Sequence, residues 1–346
     1  MRAYLILFLF CLSACHSSNS SNSTPTSSET VATDPQPTTP PPANRNPDLG
    51  ICSRLNLEDV TWPAELSTAE WTYYAIALNI TGSYEGLEGW KNITGNFDGQ
   101  GLSLGLIQQN LGQGTLQPWL ITMYRKYTNT MVTYFNSQDY INLKSMLETW
   151  QGQSLLASIS TEGSRPLFPD SLASNPLEKD YKPIDQQDLK NTQSVQWAKQ
   201  NILDGKGNVQ DRWRQSFQNM ALSSGGRSYQ LEASTARFLL AKEYFQTFNF
   251  RELRFLLFLF DVVVQNGGFS STHQAQYESW LKKNPTADEQ TRALALLEAR
   301  LTTVNPKYVE DVRSRKQAII YGTGVVHKAP RNLPEEFCFD PRVIVQ

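Results

Sequence analysis

Leu253-Arg254-Phe255-Leu256-Leu257-Phe258-Leu259-Phe260-Asp261-Val262-Val263-Val264-Gln265 is the stretch that sets the architecture of this chain. Its apolar side chains fall on every side of a 3.6-residue turn, so a helix here has no polar face to offer to water. Other elements must wrap it. The run is too short to span a bilayer, and Arg254 and Asp261 make it too charged for one. Apolar residues continue back to Phe248, which gives an expected buried central helix over 248–265. Asp261 inside that helix demands a cation, because an unpaired buried carboxylate is expensive. Arg313 or Arg315, on a later amphipathic segment, is the expected partner.

Working outward, the apolar segment Trp71–Thr81 predicts a helix that stops at Gly82 and carries Glu85 to the lip of a cleft. Between Gly95 and Gly105, glycines alternate with Phe97, Leu102 and Leu104, a pattern of tight turn and short strand. Helical spacing returns at Leu116, Trp119, Leu120, Met123, Tyr124 and Tyr127, and again over 288–302 and 307–320, the last ending at Gly322. Residues 160–190, with Pro166, Pro169, Pro176 and Pro183, read as a long connection between lobes. The expected class is mainly α, formally α+β, with one small β region. There are no internal repeats.

Chemistry concentrates between Glu85 and Leu104. Tyr84-Glu85-Gly86 places a carboxylate at a helix end, and Asp98-Gly99-Gln100-Gly101-Leu102-Ser103 places a second in a glycine turn, followed by a hydroxyl. Cleaving a sugar–sugar bond needs one carboxyl to protonate the leaving oxygen and another to activate water. Acids beside turns are also common on solvated surfaces. Gly101-Leu102-Ser103-Leu104-Gly105 matches the serine-esterase pattern, but turn-formers precede it, and only His273 and His327 remain as bases. Three histidines, without paired cysteines or a His-Glu-x-x-His motif, give no expected metal site, and no cofactor is expected. A net charge of −2 with no basic cluster argues against nucleic acid as a partner.

Residues 1–14 have the basic start, short apolar core and small residues of a signal peptide, and Leu12-Ser13-Ala14-Cys15 fits a bacterial lipobox that would acylate Cys15. The expected location is the bacterial cell envelope, lipid-anchored to a membrane through Cys15. His16 follows, where Asp would favour inner-membrane retention, so in a Gram-negative cell the outer membrane, facing the periplasm, is expected. Residues 15–46 are Ser-, Thr- and Pro-rich and read as a disordered tether with an extended reach on the order of 100 Å. The remaining 47–346 form the expected folded region, which carries Cys52 near its start and Cys338 near its end. In an oxidising compartment these two are expected to form a disulfide, stabilising by roughly 4 to 5 kcal/mol in the chain-entropy model.

Ser83-Tyr84-Glu85 after Ala75-Ile76-Ala77-Leu78, with Asp98-Gly99-Gln100-Gly101-Leu102-Ser103-Leu104-Gly105, resembles the first lobe of the family 46 chitosanases, members of the broad lysozyme-like group. Phe260-Asp261-Val262-Val263-Val264-Gln265-Asn266-Gly267 resembles that family's central helix, and Val312–Gly322 its late helix, whose Arg pairs with the helix Asp. The resemblance implies a two-lobed lysozyme-like fold with a small β-hairpin or sheet in the N-terminal lobe. It implies Glu85 as general acid, Asp98 as general base, and Ser103, in place of the family's Thr, as the residue holding the water. The substrate it implies is an amino-sugar polysaccharide of the chitosan or deacetylated-glycan kind, while the expected envelope location favours peptidoglycan glycan strands; a non-catalytic cell-wall-binding lipoprotein on the same fold is the alternative. Tyr84, Gln108 and Asn110 are the expected substrate contacts. The Glu85–Asp98 interval is shorter than in the family, which implies a trimmed hairpin.

Overall fold

The computed structural model describes residues 43–86, 88–152, 154–155 and 186–345. Cys15, the signal and tether segments up to residue 42, and most of the 160–190 connection lie outside the described residues. The described part is mainly helical, with small antiparallel sheets.

The predicted central helix is α8, Leu253–Asn266. Phe255, Leu256, Leu257, Phe258, Leu259 and Phe260 are all buried. The helix starts five residues later than its apolar run suggests. Asn249 takes a left-handed φ of 53°, which ends the preceding helix and lets Phe248 and Phe250 pack as loop residues. Around α8 lie α1 (Thr68–Glu85), α7 (Ser224–Thr247), α9 (Ser271–Lys283), α10 (Glu289–Leu301), α11 (Val309–Tyr321) and α12 (Leu333–Phe337). Truncating any one of its phenyl rings to Ala would cost about 3–5 kcal/mol, since no other group can collapse into the space.

Gly82 does not end α1. The helix runs through it to Glu85, and glycine fits there because a Cβ at position 82 would sit 2.2 Å from Cδ1 of Leu106. The residue that reads as a stop signal is a point of close approach between helix and loop. By contrast, Gly322 does cap α11 in the left-handed conformation, as its position predicts.

A second hydrophobic cluster gathers α2 (Leu116–Lys126), α3 (Thr128–Tyr134), α4 (Ser137–Gln151), α5 (Gln186–Asn201) and α6 (Asp211–Leu222) around Leu120, Met123, Leu147, Trp213 and Phe217. Of the predicted face, Leu116, Trp119, Leu120, Met123 and Tyr124 are buried on α2, while Tyr127 falls just past its end. Helix α7 serves both clusters. Tyr229 and Ala233 pack into the second, and Leu231, Phe238, Ala241 and Phe245 into the first.

Among the described residues three small sheets complete the architecture. β1 (Asn44–Asn46) pairs with β2 (Ile51–Ser53). β3 (Ile93–Thr94), β4 (Ser103–Leu104) and β5 (Gln109–Asn110) form a three-stranded antiparallel sheet with β4 in the middle. β6 (Thr323–Val326) and β7 (Ala329–Asn332) form a hairpin. The expected disulfide is present: Cys52 in β2 is bonded to Cys338 at the end of α12, across 286 residues.

Candidate functional site

Glu85 is the last residue of α1, and its side chain keeps 23% of its surface exposed. Oε1 accepts a hydrogen bond from Nη1 of Arg315 at 2.9 Å. Arg315 in turn donates through Nη2 to Oδ1 of Asp261 at 2.7 Å, and Lys316 Nζ lies 2.5 Å from Oδ2 of the same carboxylate. Asp261 and Lys316 are fully buried, and Arg315 nearly so. The two negative and two positive groups balance, which is the condition for keeping ions in an apolar core. Lys316 also donates to Gln265, whose amide reaches Asp311 at 3.3 Å, and Asp311 pairs with His327 at 2.7 Å.

Of the two arginines that are alternatives for Asp261, Arg315 is the one that meets it. Arg313 bonds Glu298 on α10. On a helix, positions two apart point roughly 200° away from each other, so both cannot face α8. The second cation is Lys316, which the sequence reading missed. Its signal is legible in hindsight: Val312, Ile319 and Ile320 stand at i−4, i+3 and i+4, on the buried face.

Burial would raise the Asp261 carboxyl, but the Arg315 and Lys316 charges override it and hold it well below the usual carboxylate range. Lys316 shares that anion with an arginine that does not give up its proton. Complete burial therefore pushes its ammonium down to about 8 in spite of the Asp261 contact.

Tyr84 is buried beneath this cluster and not presented to a ligand. The Arg315 and Arg331 guanidiniums lie 4.8 and 4.9 Å from its ring centroid, and its hydroxyl has no partner among the described residues. Burial pushes that hydroxyl up. Arg331 is fixed by Glu336 and donates to Ser83 Oγ at 3.0 Å, so the last turn of α1 is clamped on two sides.

Asp98 lies elsewhere in the local chain, exposed on the turn between β3 and β4. Its Oδ1 accepts from the Gln100 amide at 3.0 Å, and the turn is anchored by Asn96, whose amide donates to Gly207 O at 2.9 Å and whose Oδ1 accepts from Gly101 N at 2.8 Å. Gly101 needs its φ of 81° here, and a Cβ would crowd Val195 at 3.3 Å. Next to Asp98, Phe97 leaves 83% of its surface exposed. Ser103 sits in β4 between Thr94 and Asn110, buried, and its hydroxyl bonds no protein atom among the described residues. No hydrogen bond or ion pair joins Glu85 to Asp98 among the described residues.

Gln108 and Asn110 are occupied by their own loop. Gln108, at φ 51°, donates to Gly105 O at 2.9 Å and accepts from Thr94. Asn110 accepts from Gln113 N at 2.8 Å and donates to Gln113 Oε1 at 3.0 Å. The histidines are occupied too: His273 bonds Ser270 and Thr303, and His327 bonds Asp311, so neither bonds Ser103. Among the described residues no cluster of His, Cys, Asp and Glu is arranged to hold a metal ion.

No model of a known protein family and no curated protein sequence matches this chain. The resemblance to the family 46 chitosanases therefore stands on the quoted motifs alone.

Proposed function

We propose that this chain is a glycoside hydrolase that cuts a β-1,4-linked amino-sugar polymer by general acid/base catalysis, on a two-lobed frame like that of the lysozymes. The observation that carries this reading is the state of Glu85. Arg315 fixes Oε1 and, among the described residues, leaves Oε2 free of any hydrogen bond. Oε2 is then the oxygen that would carry the proton to the leaving group. Asp98, exposed on its turn, would act as base on a water held by the unengaged Ser103 hydroxyl. The two hydrophobic clusters correspond to the two lobes. Tyr84, Gln108 and Asn110 support the backbone of the site in this reading, and Phe97 replaces them as the group that meets a sugar face.

A protein tethered by an acylated Cys15 meets the cell wall first, so peptidoglycan glycan strands are the favoured substrate and chitosan or deacetylated glycan the alternative. The disulfide fits an oxidising, extracytoplasmic compartment. No helix among the described residues is long and apolar enough to cross a membrane.

One observation favours a second reading, a non-catalytic wall-binding lipoprotein. The Glu85–Arg315 pair ties α1 to α11 and is explicable as a clamp without chemistry. A zymogram of purified residues 43–346, which keep β1, against peptidoglycan and against chitosan separates the two. A cleared band on either polymer supports the hydrolase, and none on both supports the binder.

A further inference from the structure

Helices α4 and α5 enclose a groove of about 260 Å³ in the second cluster, apart from Glu85, Asp98 and Ser103. Trp150 and Trp197 are half-buried in its wall, and Asn142, Gln193, Asn201 and Lys190 supply polar groups. Along α4, Asn142 to Trp150 spans about 12 Å at 1.5 Å per residue. The floor is Met146, which is buried.

The groove's polar atoms are only partly used by the protein. Trp150 Nε1 donates to Asn191 at 2.8 Å, which fixes that ring. Asn142 Oδ1 accepts from Gln138, and Asn201 Nδ2 donates to Trp197 O. What remains includes the Asn142 amide N–H, the Gln193 amide, the Asn201 carbonyl oxygen, the Trp197 indole N–H and the Lys190 ammonium. Among the described residues the last two carry no hydrogen bond or ion pair. Among the described residues Lys190 is the one charged group in the lining.

From this combination we infer that the groove is a second saccharide-binding site, specific for N-acetylated amino-sugar strands, neutral or bearing carboxylates, and rejecting polycations. Indole faces cover the apolar face of a pyranose, and unpaired amide and indole groups serve hydroxyls and acetamido groups. Lys190 has no acid beside it in the lining, so a glucosaminium chain would bring like charge against it. This deepens the hydrolase reading and rests on it only for the biological source of the strand. It places a holding site away from the bond to be cut and favours peptidoglycan over chitosan.

The test uses the intact chain with Glu85→Gln to stop turnover, titrated with an N-acetylglucosamine oligosaccharide and, separately, with a chitosan oligosaccharide, by calorimetry. Lys190→Gln removes a charge that bonds nothing among the described residues, Asn142→Ala removes only an exposed bond from Gln138 besides the groove amide, and Trp197→Ala removes the ring. The expected result is binding of the N-acetylated probe, weakened at least tenfold by Trp197→Ala and severalfold by Asn142→Ala. Lys190→Gln should narrow the discrimination against the chitosan probe. Unchanged affinity in all three variants overturns the inference, as does tighter binding of chitosan, or no binding at all. Hydrolysis is scored separately in protein with Glu85 intact. Turnover with an inert groove removes this inference and leaves the hydrolase, whereas groove binding without any turnover does the reverse.

Discussion

Replacing Asp261 with Ala strikes the group on which the whole interior charge arrangement depends. Asp261 is the shared anion of Arg315 and Lys316, all three essentially without solvent contact. Without it, one anion remains, Glu85, and it reaches only Arg315. Breaking a buried pair by removing one partner costs about 3–5 kcal/mol, because the surviving charge is stranded. Two stranded cations would push beyond that range, but Lys316, already pushed down to about 8, can shed its proton and remove one of them. The expected loss is therefore about 4 kcal/mol. With a urea m-value of about 3 kcal/mol/M, the unfolding midpoint should fall by roughly 1.3 M. Circular dichroism of wild type and variant in urea reads this directly.

The pH dependence follows from the same charges. The folded Asp261 pKa lies below its ordinary value of 3.8, so its stabilisation is complete above that value and is lost as pH falls beneath it. The stability gap between wild type and Asp261→Asn should accordingly close in acid. A loss below about 1 kcal/mol at neutral pH, as for an exposed pair, would refute the buried-cluster reasoning.

Other outcomes are as definite. Non-reducing peptide mapping should recover Cys52 linked to Cys338, and Cys52→Ala should lower stability by up to about 5 kcal/mol in the chain-entropy model without abolishing activity; two freely alkylated thiols would contradict it. Cys15→Ser should move the protein out of the membrane fraction, and unchanged partition with normal maturation would rule out the lipid. Phe97→Ala should raise KM for polymeric glycan while leaving kcat within about twofold, because removing binding common to ground and transition states changes KM alone. An unchanged KM would mean the exposed ring does not touch substrate.

What the sequence makes legible here is mostly the apolar pattern. The all-round apolar run around Phe258 has one solution, burial, and the structure adopts it. The disulfide follows from two cysteines in an exported context, and the capped helix after Asp288 from its side chain, which accepts from Thr291 N at 2.7 Å. Less legible is anything that depends on which elements meet. Gly82 reads as a terminator because nothing local reveals that Leu106 presses on it. Gln108 and Asn110 read as free polar groups because the loop that consumes them is set by a β4–β5 register that two-residue strands barely encode. Lys316 was passed over because a lysine is ordinarily a surface residue. The Gly/Phe/Leu alternation predicts a tight turn and short strand without saying which apolar residue faces water; Leu102 and Leu104 are buried and Phe97 is the exposed one.

The central claim is that Glu85 and Asp98 do chemistry and not merely structural work. The most direct measurement is the release of reducing ends from purified peptidoglycan and from chitosan by wild type, Glu85→Gln, Asp98→Asn, Ser103→Ala and Glu88→Gln, each first shown by circular dichroism to be folded at the assay temperature. Glu88 is the control, since it is engaged with Gln218 at 2.9 Å and Lys91 at 3.4 Å. Glu85→Gln keeps the shape and the Arg315 contact but removes the transferable proton, so turnover should fall by about two orders of magnitude or more. Asp98→Asn should lose nearly as much, Ser103→Ala less, and Glu88→Gln little. Wild type that cuts neither polymer, or Glu85→Gln that turns over at the wild-type rate while Glu88→Gln does not, would contradict the account.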